Sequence, residues 1–108
     1  MRNVTAYIGR DYGVGVHTSD HVVEVVAARL MENGIAGATF SDAVGIWNGE
    51  IERSVRVELL GATILDAHAA LTYACVDLMQ WEIVYTIDGR ENVTISNDPT
   101  AARAACVA

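Results

Sequence analysis

The chain has 108 residues, 52% of them apolar, which is enough for one domain around one hydrophobic core. Seven basic against fourteen acidic residues give a net charge of −7, and the basic ones are all Arg, scattered along the chain, which argues against nucleic acid as a partner. No stretch approaches the roughly 20 apolar residues of a membrane span and the start Met1–Thr5 has no signal-like apolar region, so no membrane association and a cytoplasmic location are expected.

Residues 3–8 alternate Val4, Ala6 and Ile8 against Thr5 and Tyr7, the period of a strand. A glycine-rich link, Gly9 to Gly15, follows. Ser19 or Asp20 then caps a helix running to about Asn33, with Gly34 placed to end it in the left-handed conformation. The valines at 22, 23, 25 and 26 favour a strand locally. Helical spacing of Val23, Ala27, Leu30 and Met31 favours a helix, and the segment is long for a strand. Strands over residues 39–47 and 51–60 flank Asn48-Gly49, a dipeptide suited to the two positive-φ positions of a tight hairpin. Thr63 and Asp66 match a capping box, and Ile64, His68, Leu71, Cys75 and Leu78 form the apolar stripe of a second helix. A strand over 81–87 places Trp81, Ile83, Tyr85 and Ile87 on one face. Asp88-Gly89 turns it toward a short strand over 93–95, and the Ala-rich tail after Pro99 is expected to be peripheral.

The order strand, helix, strand, strand, helix, strand predicts an α+β, ferredoxin-like βαββαβ sandwich spanning residues 1–96, with 97–108 as a tail. Both helices should cover one face of an antiparallel sheet. Only 19% of the residues are charged, against about a quarter in an average domain, so the surface is apolar-rich and a homo-oligomer is expected. Cys75 and Cys106 lie too far apart for a metal or redox motif and read as free thiols.

Candidate chemistry is sparse. His17 and His21 are four apart but straddle a loop and a helix start, and His68 sits alone on a helix, so no metal site is predicted. The 9–15 loop precedes a helix N-terminus and suits a carboxylate or a ribose hydroxyl; it matches neither phosphate-binding fingerprint, and a plain turn is the simpler reading. No Ser/His/Asp or Cys/His grouping suggests a nucleophile. More informative is the strand after the hairpin, where period two puts Glu50, Glu52, Ser54, Arg56 and Glu58 on one face, opposite Val55, Val57 and Leu59. That row reads either as a solvated polar face or, beside Trp47 and closed by a neighbouring subunit, as an acidic site.

At this hairpin the run 37–47, GATFSDAVGIW, followed by Glu52-Arg53-Ser54-Val55-Arg56-Val57, resembles the small phage-encoded enzymes that degrade S-adenosylmethionine, formerly called hydrolases and now lyases. The likeness continues at Ser19-Asp20-His21, Ala74-Cys75 and Val84-Tyr85, over roughly residues 3–87. It implies a trimer of the PII/CutA type, substrate held between subunits, no cofactor, and a place in the host cytoplasm. It further implies cleavage of S-adenosylmethionine to methylthioadenosine and homoserine lactone by attack of the substrate's own carboxylate. Glu52 matches the family's essential acid, as a group that binds and orients substrate. Trp47 would pack on adenine or the sulfonium, with Tyr7, Ser54, Glu50 and Asp42 as further substrate-binding candidates. Family members carry acids just before this hairpin; here Phe40-Ser41-Asp42 leaves Asp42 alone to correspond. The run Gly45-Ile46-Trp47-Asn48-Gly49 also resembles the wider PII-like group, which implies a non-catalytic trimeric module binding a nucleotide or small molecule. A phage protein that binds a host partner is the third reading.

Overall fold

The computed structural model describes residues 2–97, at Trp47 for the backbone alone. The predicted tail beyond that point, with Pro99 and Cys106, lies outside the described residues. Strand β1 (Val4–Gly9) leads to helix α1 (Ser19–Glu32), the hairpin β2 (Gly37–Trp47) and β3 (Glu50–Leu60), helix α2 (Ile64–Asp77), and strands β4 (Glu82–Ile87) and β5 (Glu91–Ser96). The sheet order is β2-β3-β1-β4-β5, every neighbouring pair antiparallel. This is the ferredoxin-like order with one strand added at the β4 edge. The expected three-residue strand is a six-residue β5, paired with β4 from Glu82↔Ser96 to Ile87↔Glu91.

Local chemistry explains the element ends. Thr18, one residue earlier than expected, caps α1 by accepting from the His21 amide at 3.1 Å, and Thr63 does the same for α2 through the Asp66 amide at 3.2 Å. Both helices finish in the same two-bond pattern. At α1, Gly34 (φ 75°) donates to Met31 and Ile35 to Leu30; at α2, Met79 (φ 53°) donates to Val76 and Gln80 to Cys75. Asn48 (φ 50°) and Gly49 (φ 77°) make the hairpin turn. That two-residue turn fixes the pairing from Trp47↔Glu50 to Gly37↔Leu60.

The core lies between the helices and one face of the sheet. Val4, Ala6 and Ile8 pair with Leu59, Val57 and Val55, and this row meets Ile83, Tyr85 and Ile87 of β4. Helix α1 buries Val22, Val26 and Leu30 rather than the stripe through Met31, which is exposed; α2 buries Ala67, Ala70, Leu71, Ala74 and Cys75. Spacing of four at 22, 26 and 30 is why the valine-rich segment folds as a helix: one side of it reaches the sheet. Each buried Val, Leu or Ile contributes about 1.5–3 kcal/mol relative to exposure. His68, expected on the buried stripe, is exposed at its edge; its Nδ1 meets the Tyr85 hydroxyl at 2.8 Å. Among the described residues, the opposite face of the sheet carries no helix.

Candidate functional site

The site follows from a difference in strand length. The hairpin strands β2 and β3 have eleven residues each, but β1 ends at Gly9 opposite Ser54. Residues 50–53 therefore project past β1. One more bond, from the Arg10 amide to the Arg53 carbonyl (3.0 Å), holds the chain against them before it turns away.

The 10–17 loop closes on itself there. His17 donates its amide to the Arg10 carbonyl (2.7 Å) and Arg10 Nε donates to the His17 carbonyl (2.7 Å). The Asp11 carboxylate accepts from the Gly13 amide at 2.9 Å. Tyr12 stacks on His17 at 4.0 Å between centroids, and His17 Nε2 meets the Leu78 carbonyl at the end of α2 (2.8 Å). Loop, projecting hairpin and the start of β4 together enclose a cleft of about 1100 Å³. Its walls bring Asp11, Glu50, Glu52 and Glu82 together with the aromatic rings of Tyr7, Tyr12 and Trp81.

Glu52 is half-buried at the floor of this cleft. Its carboxylate lies over Gly9, where a side chain would otherwise stand. Burial, and secondarily the charge of Asp11, push the Glu52 carboxyl above its ordinary value. Beneath it Gln80 is 5% exposed, its Nε2 donating to the Asp11 carbonyl (3.0 Å) and toward the Leu78 carbonyl (3.5 Å).

The expected residues divide between the two faces of the sheet. Glu50, Glu52 and Ser54 share the uncovered face with Tyr7 and with the backbone position of Trp47, which pairs with Glu50. The side chain of Trp47 lies outside the described residues. Tyr7 is 44% exposed; Arg56, directly opposite, hydrogen-bonds its hydroxyl and pairs with Glu58, which raises the Arg56 pKa. Asp42 is on the other side. It pairs with the core residue Val55, and its Oδ1 accepts from Ser19 Oγ at 2.5 Å. The structure therefore does not bring Asp42 to Glu52. The hairpin turn already contained this answer, because a two-residue turn pairs 42 with 55.

Asp11, Tyr12, Gln80 and Trp81 were not singled out from the sequence as site residues. Trp81 falls just before β4, is 69% exposed and lines the cleft, rather than facing the core with Ile83 and Tyr85. Gln80 points inward because Met79 takes the left-handed position that ends α2. Glycine usually marks that position, and Met hides it. Among the described residues, no group of three or more His, Cys, Asp or Glu gathers in a way that would hold a metal ion.

No family model and no curated protein matches this chain. Among solved structures it is similar to a phage SAM lyase in complex with S-methyl-5'-thioadenosine, at TM-score 0.70 and 19% identity over 88% of each chain. It is also similar to a phage SAM lyase in the apo state, at TM-score 0.75 and 19% identity over 90% of each chain. At this identity the likeness is one of fold, and it extends over nearly the whole length of both proteins.

Proposed function

We propose that this protein is a lyase that cleaves S-adenosylmethionine to methylthioadenosine and homoserine lactone. The observation that carries the reading is the Glu52 carboxyl, seated in an acidic, aromatic-lined cleft, in a chain whose fold is that of the phage SAM lyases. The substrate is a cation with two positive groups, a sulfonium and an ammonium. Asp11, Glu50, Glu52 and Glu82 give the cleft a field that concentrates it, and the aromatic rings offer faces to adenine and sulfonium.

The chemistry needs little from the protein. A carboxylate oxygen of the substrate attacks its own γ carbon and closes a five-membered lactone. The carbon–sulfur bond breaks, its electron pair stays on sulfur, and neutral methylthioadenosine leaves. The ammonium is untouched and the lactone carries the remaining positive charge. No proton transfer and no added nucleophile enter the balance. Holding carboxylate and γ carbon in contact supplies the acceleration, and well-oriented intramolecular reactions gain on the order of 7–11 kcal/mol this way. Glu52 binds and orients the substrate through its ammonium or ribose hydroxyls, with Tyr7, Ser54, Glu50 and Trp47 as neighbours on the same face. Asp42 supports the start of α1 instead.

The proposal extends to a trimer whose neighbouring copy closes the cleft. Its support is an apolar row on the projecting hairpin, Val44, Ile46 and Ile51, exposed at 72%, 78% and 79%. A solution mass near three times 11.6 kDa is the expected result.

Purified protein incubated with S-adenosylmethionine should yield methylthioadenosine and homoserine lactone by mass spectrometry, and Glu52→Gln should abolish the yield. Intact S-adenosylmethionine after incubation with a folded preparation overturns the lyase reading. A nucleotide that then raises the melting temperature would favour a binding module, and co-purification of a host protein an interaction factor.

A further inference from the structure

Gly9 is glycine for a reason that the backbone does not supply. Its φ lies outside the left-handed region occupied by Gly13, Gly34, Gly49, Gly61 and Gly89, and it pairs regularly with Ser54 as the last residue of β1. Alanine would fit that backbone. What glycine leaves there is space: a Cβ on residue 9 would stand 1.9 Å from Glu52 Oε1, 3.0 Å from Glu52 Cδ and 3.0 Å from Gln80 Oε1. The Glu52 carboxylate occupies the volume a side chain would take.

Gln80 completes the arrangement. Its Nε2 is committed to the carbonyls of Asp11 and Leu78, so its Oε1 is the atom turned toward the Gly9 position. Two acceptor oxygens, one from Gln80 and one from Glu52, thus converge on one small volume beside the charge of Asp11. Facing acceptors repel unless a donor stands between them. An ammonium, with its three donors, serves that role in a complex.

We propose that Gly9 and Gln80 are positioning residues for Glu52: the missing side chain admits the carboxylate, and the Gln80 carbonyl oxygen faces it, so that the pair forms a seat for one donor group, the substrate's ammonium. The identity of that donor rests on the lyase reading. The seat itself does not.

The atom that alanine would strike first is the end of a flexible side chain, so Gly9→Ala displaces Glu52 while leaving the sheet intact. The test uses Gly9→Ala, Glu52→Gln, the double variant, and Gln80→Met, which keeps the side-chain length but loses the amide. Two readouts are followed: methylthioadenosine release from S-adenosylmethionine, and the pH titration of the Glu52 Cδ carbon by ¹³C NMR without ligand. In Gly9→Ala the titration midpoint should fall back to that of an ordinary glutamate and kcat/KM should drop about 10- to 100-fold, the scale expected for displacing an orienting group by an ångström. In the Glu52→Gln background, Gly9→Ala should change substrate binding by no more than about twofold, because the two changes act through one group. Gln80→Met should raise KM about 10-fold with kcat little changed, as a lost ammonium contact would.

A Gly9→Ala protein with unchanged midpoint or unchanged kcat/KM overturns the proposal. So does an equal loss in the Glu52→Gln background, an unchanged KM in Gln80→Met, or a Gly9→Ala protein that fails to fold. If the parent protein does not turn over S-adenosylmethionine, the lyase reading fails and the NMR midpoint alone decides the seat.

Discussion

Tyr12 lies flat on His17, ring centroids 4.0 Å apart and planes 16° from parallel, while the imidazole Nε2 reaches the Leu78 carbonyl at 2.8 Å. One side chain thus ties the loop that walls the cleft to the end of α2. His17→Ala removes both contacts and leaves the Leu78 carbonyl with the longer approach of Gln80 Nε2 at 3.5 Å. The loop amides of Tyr12 and His17 are expected to lose hydrogen-exchange protection, with the strand amides of β1 unchanged. Binding in the cleft should weaken by about tenfold, the worth of one lost anchoring contact of roughly 1.4 kcal/mol.

Asp42 and Glu52 sit on opposite sides of one sheet, and their substitutions should separate cleanly. Asp42→Asn weakens the bond from Ser19 at the first turn of α1, so a fall of a few degrees in melting temperature is expected (about 4–8 °C accompanies 1 kcal/mol in a domain of this size). Turnover at saturating substrate should stay within about twofold of the parent, since Asp42 is directed away from the cleft. Glu52→Gln should do the reverse. Loss of turnover in Asp42→Asn with an intact fold would contradict the placement of the two acids.

Stability should depend on pH through Glu52 in a definite direction. Burial holds its carboxyl above the ordinary 4.5, so the fold favours the protonated form. The stability this confers is complete below 4.5 and is lost as pH rises through the folded value. At neutral pH the ionised group is a burden on the free protein. Glu52→Gln should therefore melt above the parent at pH 7, and the two should converge below pH 4.5. An unchanged difference across that range would show that the carboxyl is fully hydrated.

Two isoleucines make a contrasting pair. Ile8 is fully buried between the helices and the sheet, whereas Ile46 is 78% exposed on the projecting hairpin. Ile8→Ala should cost about 2–5 kcal/mol of unfolding free energy by urea titration. Ile46→Asp should leave the chemical stability of one subunit nearly unchanged but lower the solution mass, if the hairpin row of Val44, Ile46 and Ile51 is covered by another copy. A solution mass that Ile46→Asp does not alter would remove the hairpin from the interface.

Much of the fold was legible in the chain because its signals are local. Alternation of Val4, Ala6 and Ile8, the Asn48-Gly49 turn and the threonine caps each act over a few residues and need no distant partner. Gln80 and Trp81 escaped for a related reason. Met79 adopts a conformation that Met rarely marks, so the sequence alone starts the strand at Trp81, whereas it begins at Glu82.

The sequence by itself determined the element order, the hairpin register and the core-facing alternation of β1 and β3, since two-residue periodicity and a two-residue turn leave no freedom there. Only the tertiary structure decided that Gly9, Asp11, Glu52, Gln80 and Trp81 meet. They come from three segments, and nothing local selects their approach: strand order places β1 between β3 and β4, and the early end of β1 then leaves one space for a carboxylate to fill.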